Sequence, residues 1–176
     1  NAQKIIAESA YTMNARTVYP SVTLPCHMSM FHSVPPQRHG VLSNTYTPQV
    51  RPVNGLFDQA KLAGKTTAMF YGWERLREIA SSGSLKFATY INSYTRESVD
   101  TLLTDEAIRT ISEYKPDFAF LYLVDTDEKG GHDSGWMTEE YFKRIRIAID
   151  NTKRMIDAFA REYTVIIMAD HGGHDR

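Results

Sequence analysis

The chain has one cysteine, Cys26, which excludes an internal disulfide framework. It also lacks any apolar run near the roughly 18 residues that a membrane-spanning helix needs; the longest is Phe118–Val124. Neither sign of charge prevails. With 20 basic and 21 acidic side chains the formal net charge is −1, so no nucleic-acid or anionic-membrane surface is expected. The 10 glycines and 7 prolines among 176 residues are too few for a fibrous chain, and no repeat, linker or low-complexity stretch is visible. What remains, 42% hydrophobic residues in balanced charge, suits one soluble domain with a real core rather than a disordered tail.

Four segments read as buried strands: Thr67–Tyr71, Leu85–Ile91, Asp117–Val124 and Tyr163–Ala169. The last two are apolar on both faces, which fits a sheet covered on both sides and so mostly parallel. Helical periodicity fills the intervals at Gly55–Gly64, Trp73–Ser81, Val99–Tyr114 and Thr138–Glu162. In the last of these, Thr138 is a natural N-cap followed by two acids. Asn1–Glu8 reads as a helix already under way, without an initiator Met, and Asp170–Arg176 ends in polar loop chemistry. The expectation is therefore a three-layer α/β/α sandwich, residues 1–176 forming a single core that is a fragment of something longer. The lone cysteine and the lack of a visible signal peptide slightly favour a cytoplasmic setting.

Ligands of open α/β sheets bind beyond the carboxyl ends of the strands. Two strands here run into loops rich in acids and histidine. Val124 leads into Asp125-Thr126-Asp127-Glu128-Lys129-Gly130-Gly131-His132-Asp133, and Ala169 into Asp170-His171-Gly172-Gly173-His174-Asp175. Carboxylate oxygen and imidazole nitrogen in one short loop suit a zinc-like ion, and two such loops suggest two metals. Ordinary Asp-Gly turns would look similar, so the pairing of both loops carries the argument. In a third segment, Tyr19-Pro20-Ser21-Val22-Thr23-Leu24-Pro25, the pattern turns helical after Pro25. Thr23 then sits at the mouth of a helix. Read alone, it is an N-cap before it is an anion-facing nucleophile.

Together these segments resemble the alkaline phosphatase superfamily, and in particular its type I phosphodiesterase/nucleotide pyrophosphatase branch. Pro20-Ser21-Val22-Thr23-Leu24-Pro25, then Pro36-Gln37-Arg38-His39-Gly40-Val41, is similar to the nucleophile segment of that branch. The stretch from Thr126 to Met137 resembles its first metal loop, and Ala169 to Arg176 its second. The resemblance runs from Arg16 to Arg176. It implies that Thr23 is the nucleophile and sits on one metal, which Asp170 and His171 also ligate, and that Asp127 and His132 ligate the second. It further implies two divalent ions, zinc before manganese, and a phosphate-ester substrate processed through a phospho-threonine. Because a liganding imidazole must be neutral, activity is expected to fall in acid. Two more ligands, an Asp before Asn1 and a His beyond Arg176, are expected outside the chain, so the isolated fragment would bind metal weakly.

One spacing departs from the pattern. Family members usually place the first loop's Asp four residues before its His, whereas Asp127 precedes His132 by five, with an additional glycine in Gly130-Gly131. Glu128 has the usual spacing and Asp125 is a further candidate; Thr126-Asp127-Glu128 aligns best when the glycine absorbs the insertion. Of the aromatic residues Tyr46, Tyr71, Trp73 and Trp136, core positions are the default, and Trp136, just after the metal loop, is the strongest choice for a pocket wall. His27 and His32 read as packing or surface residues, His39 as a loop anchor, Cys26 as a small packed residue and His174 as solvated. The same scaffold supports phosphonate, sulfate and phosphomonoester chemistry, although Thr23 argues against the sulfatases, which use a modified Cys or Ser. A non-catalytic binding module on a decayed hydrolase scaffold is the rival from another class.

Overall fold

The computed structural model describes residues 2–173. Its centre is a three-stranded parallel sheet in the order β2-β1-β3: β1 is Thr67–Tyr71, β2 Phe87–Tyr90 and β3 Phe118–Leu121. Backbone bonds from Ile91 to Tyr71 and from Tyr122 to Phe70 carry the pairing one residue past β2 and β3. The helices are α1 (Ala2–Ala7), α2 (Thr23–His32), α3 (Pro36–His39), α4 (Leu56–Leu62), α5 (Val99–Tyr114) and α6 (Glu139–Phe159). A 3₁₀ helix spans Glu74–Ile79 and a π-helix spans Thr126–His132.

Register shows how the sheet is covered. Ala68 pairs with Phe87 on one side and Ala119 on the other, so these three share a face, and the ring of Phe87 lies 4.6 Å from that of Tyr114 on α5. Met69 pairs with Phe120 on the opposite face, where Phe31 of α2 meets Phe120 at 4.8 Å. There Phe57 of α4 stacks on Phe31 at 5.1 Å and meets Phe118 edge-on at 5.4 Å. β1, central and covered on both faces, is buried throughout. That is the environment that a strand apolar on both faces requires. α6 packs on α5, where Asn151 donates to the Thr101 hydroxyl at 3.3 Å and Arg154 pairs with Asp105. The Thr138 cap forms as expected, its hydroxyl accepting from Tyr141 N–H at 3.2 Å.

The fourth expected strand is not one. Thr164–Ala169 pairs with no strand among the described residues, and its apolar side chains stand in the open, from 38% exposed at Val165 to 76% at Ile166. Tyr163 is tied to the Pro116 carbonyl at 3.1 Å, but nothing beyond it supplies a ladder partner. Apolar character marks a segment that gains from burial; a neighbour must still be there to bury it. Among the described residues no helix is long and apolar enough to cross a membrane, and the cytoplasmic preference gains no support from that.

The aromatic stack gives the first prediction. Phe57 is fully buried, so Phe57→Ala should lower the unfolding free energy by about 3–5 kcal/mol. Urea titration should show an earlier midpoint at an unchanged slope.

Candidate active site

Thr23 opens α2, and Val22 holds the N-cap position without a side-chain cap. The capping role that the sequence favoured for Thr23 is therefore not the one it has. Its hydroxyl meets the Nε2 of His171, 148 positions further along the chain, at 3.0 Å. The tautomer follows from the other ring nitrogen. His171 Nδ1 lies 2.7 Å from the Gly172 carbonyl, which can only accept, so Nδ1 holds the proton and Nε2 offers its lone pair to the Thr23 hydroxyl.

Asp170 completes this corner. Its Oδ2 lies 3.4 Å from His171 Nε2 and 3.5 Å from His27 Nδ1, is buried, and has no hydrogen-bond partner. His27 donates Nδ1–H to the Thr23 carbonyl at 2.8 Å, so α2 carries both the hydroxyl and the imidazole that backs Asp170. Burial holds the His27 imidazolium form down, against the pull of Asp170 and of the Thr23 carbonyl. His27 is thus neutral packing, as expected, but it packs against a candidate ligand. Thr17 anchors the same loop by donating to the Asp170 carbonyl at 2.6 Å. Since that uses the Thr17 proton, the contact of Cys26 Sγ with Thr17 Oγ1 at 3.0 Å has the thiol donating. Burial pushes the Cys26 thiol up, which keeps it protonated in that role. His39 holds its loop by accepting from Val41 N–H at 3.1 Å while Nε2 faces the Ser29 hydroxyl at 3.0 Å.

The second corner lies on the π-helix. Gly130 N–H reaches back five residues to the Asp125 carbonyl at 2.9 Å, so this turn takes up one residue more than an α turn. The additional residue noted in the sequence is accommodated as π winding. Asp127 Oδ2 and His132 Nε2 then stand 3.6 Å apart despite their spacing of five. The other two acids face elsewhere. Glu128 accepts from the Tyr94 hydroxyl at 3.0 Å, and Asp125 is buried against Arg144, whose Nη1 lies 3.9 Å from its Oδ2. Burial raises the Asp127 carboxyl above the usual range; His132 and His171 pull it down and Asp170 pushes it up, so the two corners adjoin electrostatically. His174 lies outside the described residues.

The donor set fits zinc. Two ligands of one tetrahedral ion, each about 2.0–2.1 Å from it, stand roughly 3.3 Å apart. The observed pairs, 3.0 Å for Thr23–His171, 3.4 Å for Asp170–His171 and 3.6 Å for Asp127–His132, lie around that value. The unpartnered Asp170 Oδ2 is the oxygen such an ion would satisfy. Each corner is partial: among the described residues no three His, Cys, Asp or Glu side chains close on one point.

A cleft of about 300 Å³ opens over these residues, lined by Thr23, Asp127, Glu128 and His132 and also by Asn44, Trp73, Arg75, Tyr94 and Tyr122. The last five were not read as site residues, apart from Trp73 as a weak aromatic choice. Asn44 is held by accepting the Leu24 N–H at 2.9 Å, beside Thr23. Trp136, the favoured wall residue, does not line the cleft. A larger hollow of about 430 Å³ beside Tyr90, Asn92 and Leu102 contains none of the candidate ligands.

A model of the type I phosphodiesterase / nucleotide pyrophosphatase family matches residues 1–175. The chain belongs to that family. It is 25% identical over 188 residues to ectonucleotide pyrophosphatase/phosphodiesterase family member 1 of Rattus norvegicus, covering 92% of this chain and 20% of that protein. The Homo sapiens member 1 is 25% identical over 187 residues, with the same coverage. Family member 3 of Rattus norvegicus is 22% identical over 195 residues, covering 98% of this chain and 22% of that protein. The chain thus spans about a fifth of the length of these relatives.

Behind the π-helix is a buried acid pair. Asp100 Oδ1 accepts from Val124 N–H at 2.6 Å and Asp125 N–H at 3.1 Å, pinning the exit of β3. Burial and the neighbouring Asp125 raise the Asp100 carboxyl to about 7. The folded state then binds a proton that the unfolded chain, with an Asp near 3.8, has lost. Its contribution to stability is full below about pH 4 and is lost as pH rises to about 7, an effect of at most about 4 kcal/mol. Asp100→Asn keeps an acceptor for both N–H groups and should flatten this slope, as read by urea unfolding at pH 4.5, 6 and 8. An unchanged slope in the variant would refute the assignment.

Proposed function

We propose that this chain is the core of a metal-dependent hydrolase of phosphate esters, a phosphodiesterase or nucleotide pyrophosphatase acting through Thr23. The observation that carries this reading is the contact of the Thr23 hydroxyl with His171 at 3.0 Å, beside an unpartnered Asp170 oxygen. Family membership supports it, and the relatives' printed names suggest nucleotides among the substrates.

Thr23, Asp170 and His171 would hold one divalent ion, and Asp127 and His132 a second, zinc by donor type with manganese as the alternative. When bound, two such ions would lower the pKa of the Thr23 hydroxyl and would stabilise the leaving oxygen of an in-line displacement. Thr23 Oγ1, its proton passed to solvent, would then bond to phosphorus as the bond to the leaving oxygen breaks and that oxygen takes up a proton, giving a phospho-threonine and the free alcohol. Water attacks that phosphorus in turn and releases Thr23. Asn44, fixed through its carbonyl oxygen to Leu24, has its amide N–H groups free to donate to a phosphoryl oxygen. Trp73 and Tyr94 give the cleft an aromatic wall, and Arg75 gives it a cation for a further anionic group of the substrate.

Thr23→Ala should reduce hydrolysis of bis-p-nitrophenyl phosphate at least about a thousandfold without altering the fold. Chelation should abolish native turnover, and added zinc should restore it. Full turnover in the variant removes the nucleophile. No bound metal and no turnover in the full-length native protein would favour a binding module instead. A preference for phosphonate, sulfate or monoester substrates would keep the mechanism and change the class.

A further inference from the structure

Trp136 belongs to neither corner nor to the cleft, yet it touches both metal loops. A Cβ built on Gly131 would fall 2.4 Å from Cη2 and Cζ2 of its ring, and one on Gly173 would fall 2.1 Å from Cζ3 and 2.2 Å from Cη2. Real carbon contacts do not come that close, so the six-membered ring occupies the space that a side chain at either position would need. Gly131 precedes His132, and Gly173 follows His171 by two. The ring of His132 meets the indole edge-on at 5.7 Å, and Tyr141 of α6 meets it at 5.4 Å.

The backbone aims the indole. Gly135 at φ +90° and Met137 at φ 62° turn the chain back after the π-helix, and the Thr138 hydroxyl locks the turn by donating to the Gly135 carbonyl at 2.8 Å. At Gly135 the left-handed conformation requires glycine. α6 then starts at Glu139 and holds Tyr141 against the indole from the other side of the turn.

We infer that Trp136 is a positioning residue, a clamp that sets the spacing of the two metal loops through contact with the bare backbone at Gly131 and Gly173. Removing the clamp, or forcing a methyl group into it from either loop, loosens both corners together. This rests on the two-metal reading above. A residue that merely anchored the π-helix would affect the Asp127–His132 corner alone.

The test is a mutant cycle on the full-length protein, with Zn²⁺ alone titrated into metal-free protein by calorimetry and thermal unfolding followed in parallel. Trp136→Phe, Gly131→Ala and Gly173→Ala should each weaken both zinc-binding steps about tenfold or more. In the Trp136→Phe background either alanine should add less than about threefold, because the ring atoms it would strike are gone. Additive losses, or weakening of one step only, would overturn the clamp. If a single variant fails to fold, the other alanine substitution, alone and with Trp136→Phe, decides the same question. Native protein that binds no zinc would overturn the metal reading rather than the clamp; the same cycle on the unfolding midpoint then decides, additive shifts counting against it.

Discussion

Parallel pairing is the constraint on which the site depends. Because β1 pairs parallel to both β2 and β3, the carboxyl ends of all three strands lie at one edge of the sheet. The chain must leave β3 there, and it leaves into the π-helix with Asp127 and His132. Trp73 and Arg75 follow β1 at the same edge, and Tyr94 follows β2. The cleft is thus assembled from the exits of consecutive strands, which is why chemistry on such folds collects at that edge.

Collecting acids at one edge has an electrostatic cost. Asp100, Asp125, Asp127 and Asp170 all lie near it, and burial raises the carboxyls of the first three. The structure meets part of this cost with the Val124 and Asp125 N–H groups, which donate to Asp100, and with the Arg144 guanidinium 3.9 Å from Asp125. One oxygen of each of Asp100, Asp125 and Asp170 is nonetheless buried without a hydrogen-bond partner. The divalent ions proposed above would relieve that repulsion, and neutral histidines would join them without adding to it. Keeping His27 neutral beside Asp170 serves the same end, since its proton is committed to the Thr23 carbonyl.

Much of this was legible in the sequence, and the parts that were not share a physical reason. Thr67–Tyr71 and Val99–Tyr114 could be read because periodicity and apolar runs report whether a residue is covered. They do not report what covers it. Thr164–Ala169 has the composition of a buried strand and lies exposed, because partner strands are tertiary facts. Thr23 looked like a cap because residues before a helix usually are; that its hydroxyl faces His171 depends on a fold 148 residues long. Asp127, Asp125 and Glu128 could not be separated by spacing alone, since the π winding that brings Asp127 to His132 is a backbone choice that many sequences would decline. Asn44, Arg75 and Tyr94 had no signal at all. Asn44 and Tyr94 stand on loops and Arg75 on the short 3₁₀ helix, and they gain their meaning from the cleft they border.

The bare stretch Val165–Met168 has a consequence of its own. Its residues are β-branched or apolar, and no ladder satisfies their amides among the described residues. An exposed apolar segment of that composition, with its backbone unpaired, is a template for its own kind. At high concentration the chain by itself should be prone to stack edge to edge into fibrous aggregates. Preparations kept dilute, or supplied with a strand that occupies this margin, would hold it in solution, so colloidal behaviour is tied to the same ribbon of backbone that brings Asp170 and His171 beside Thr23.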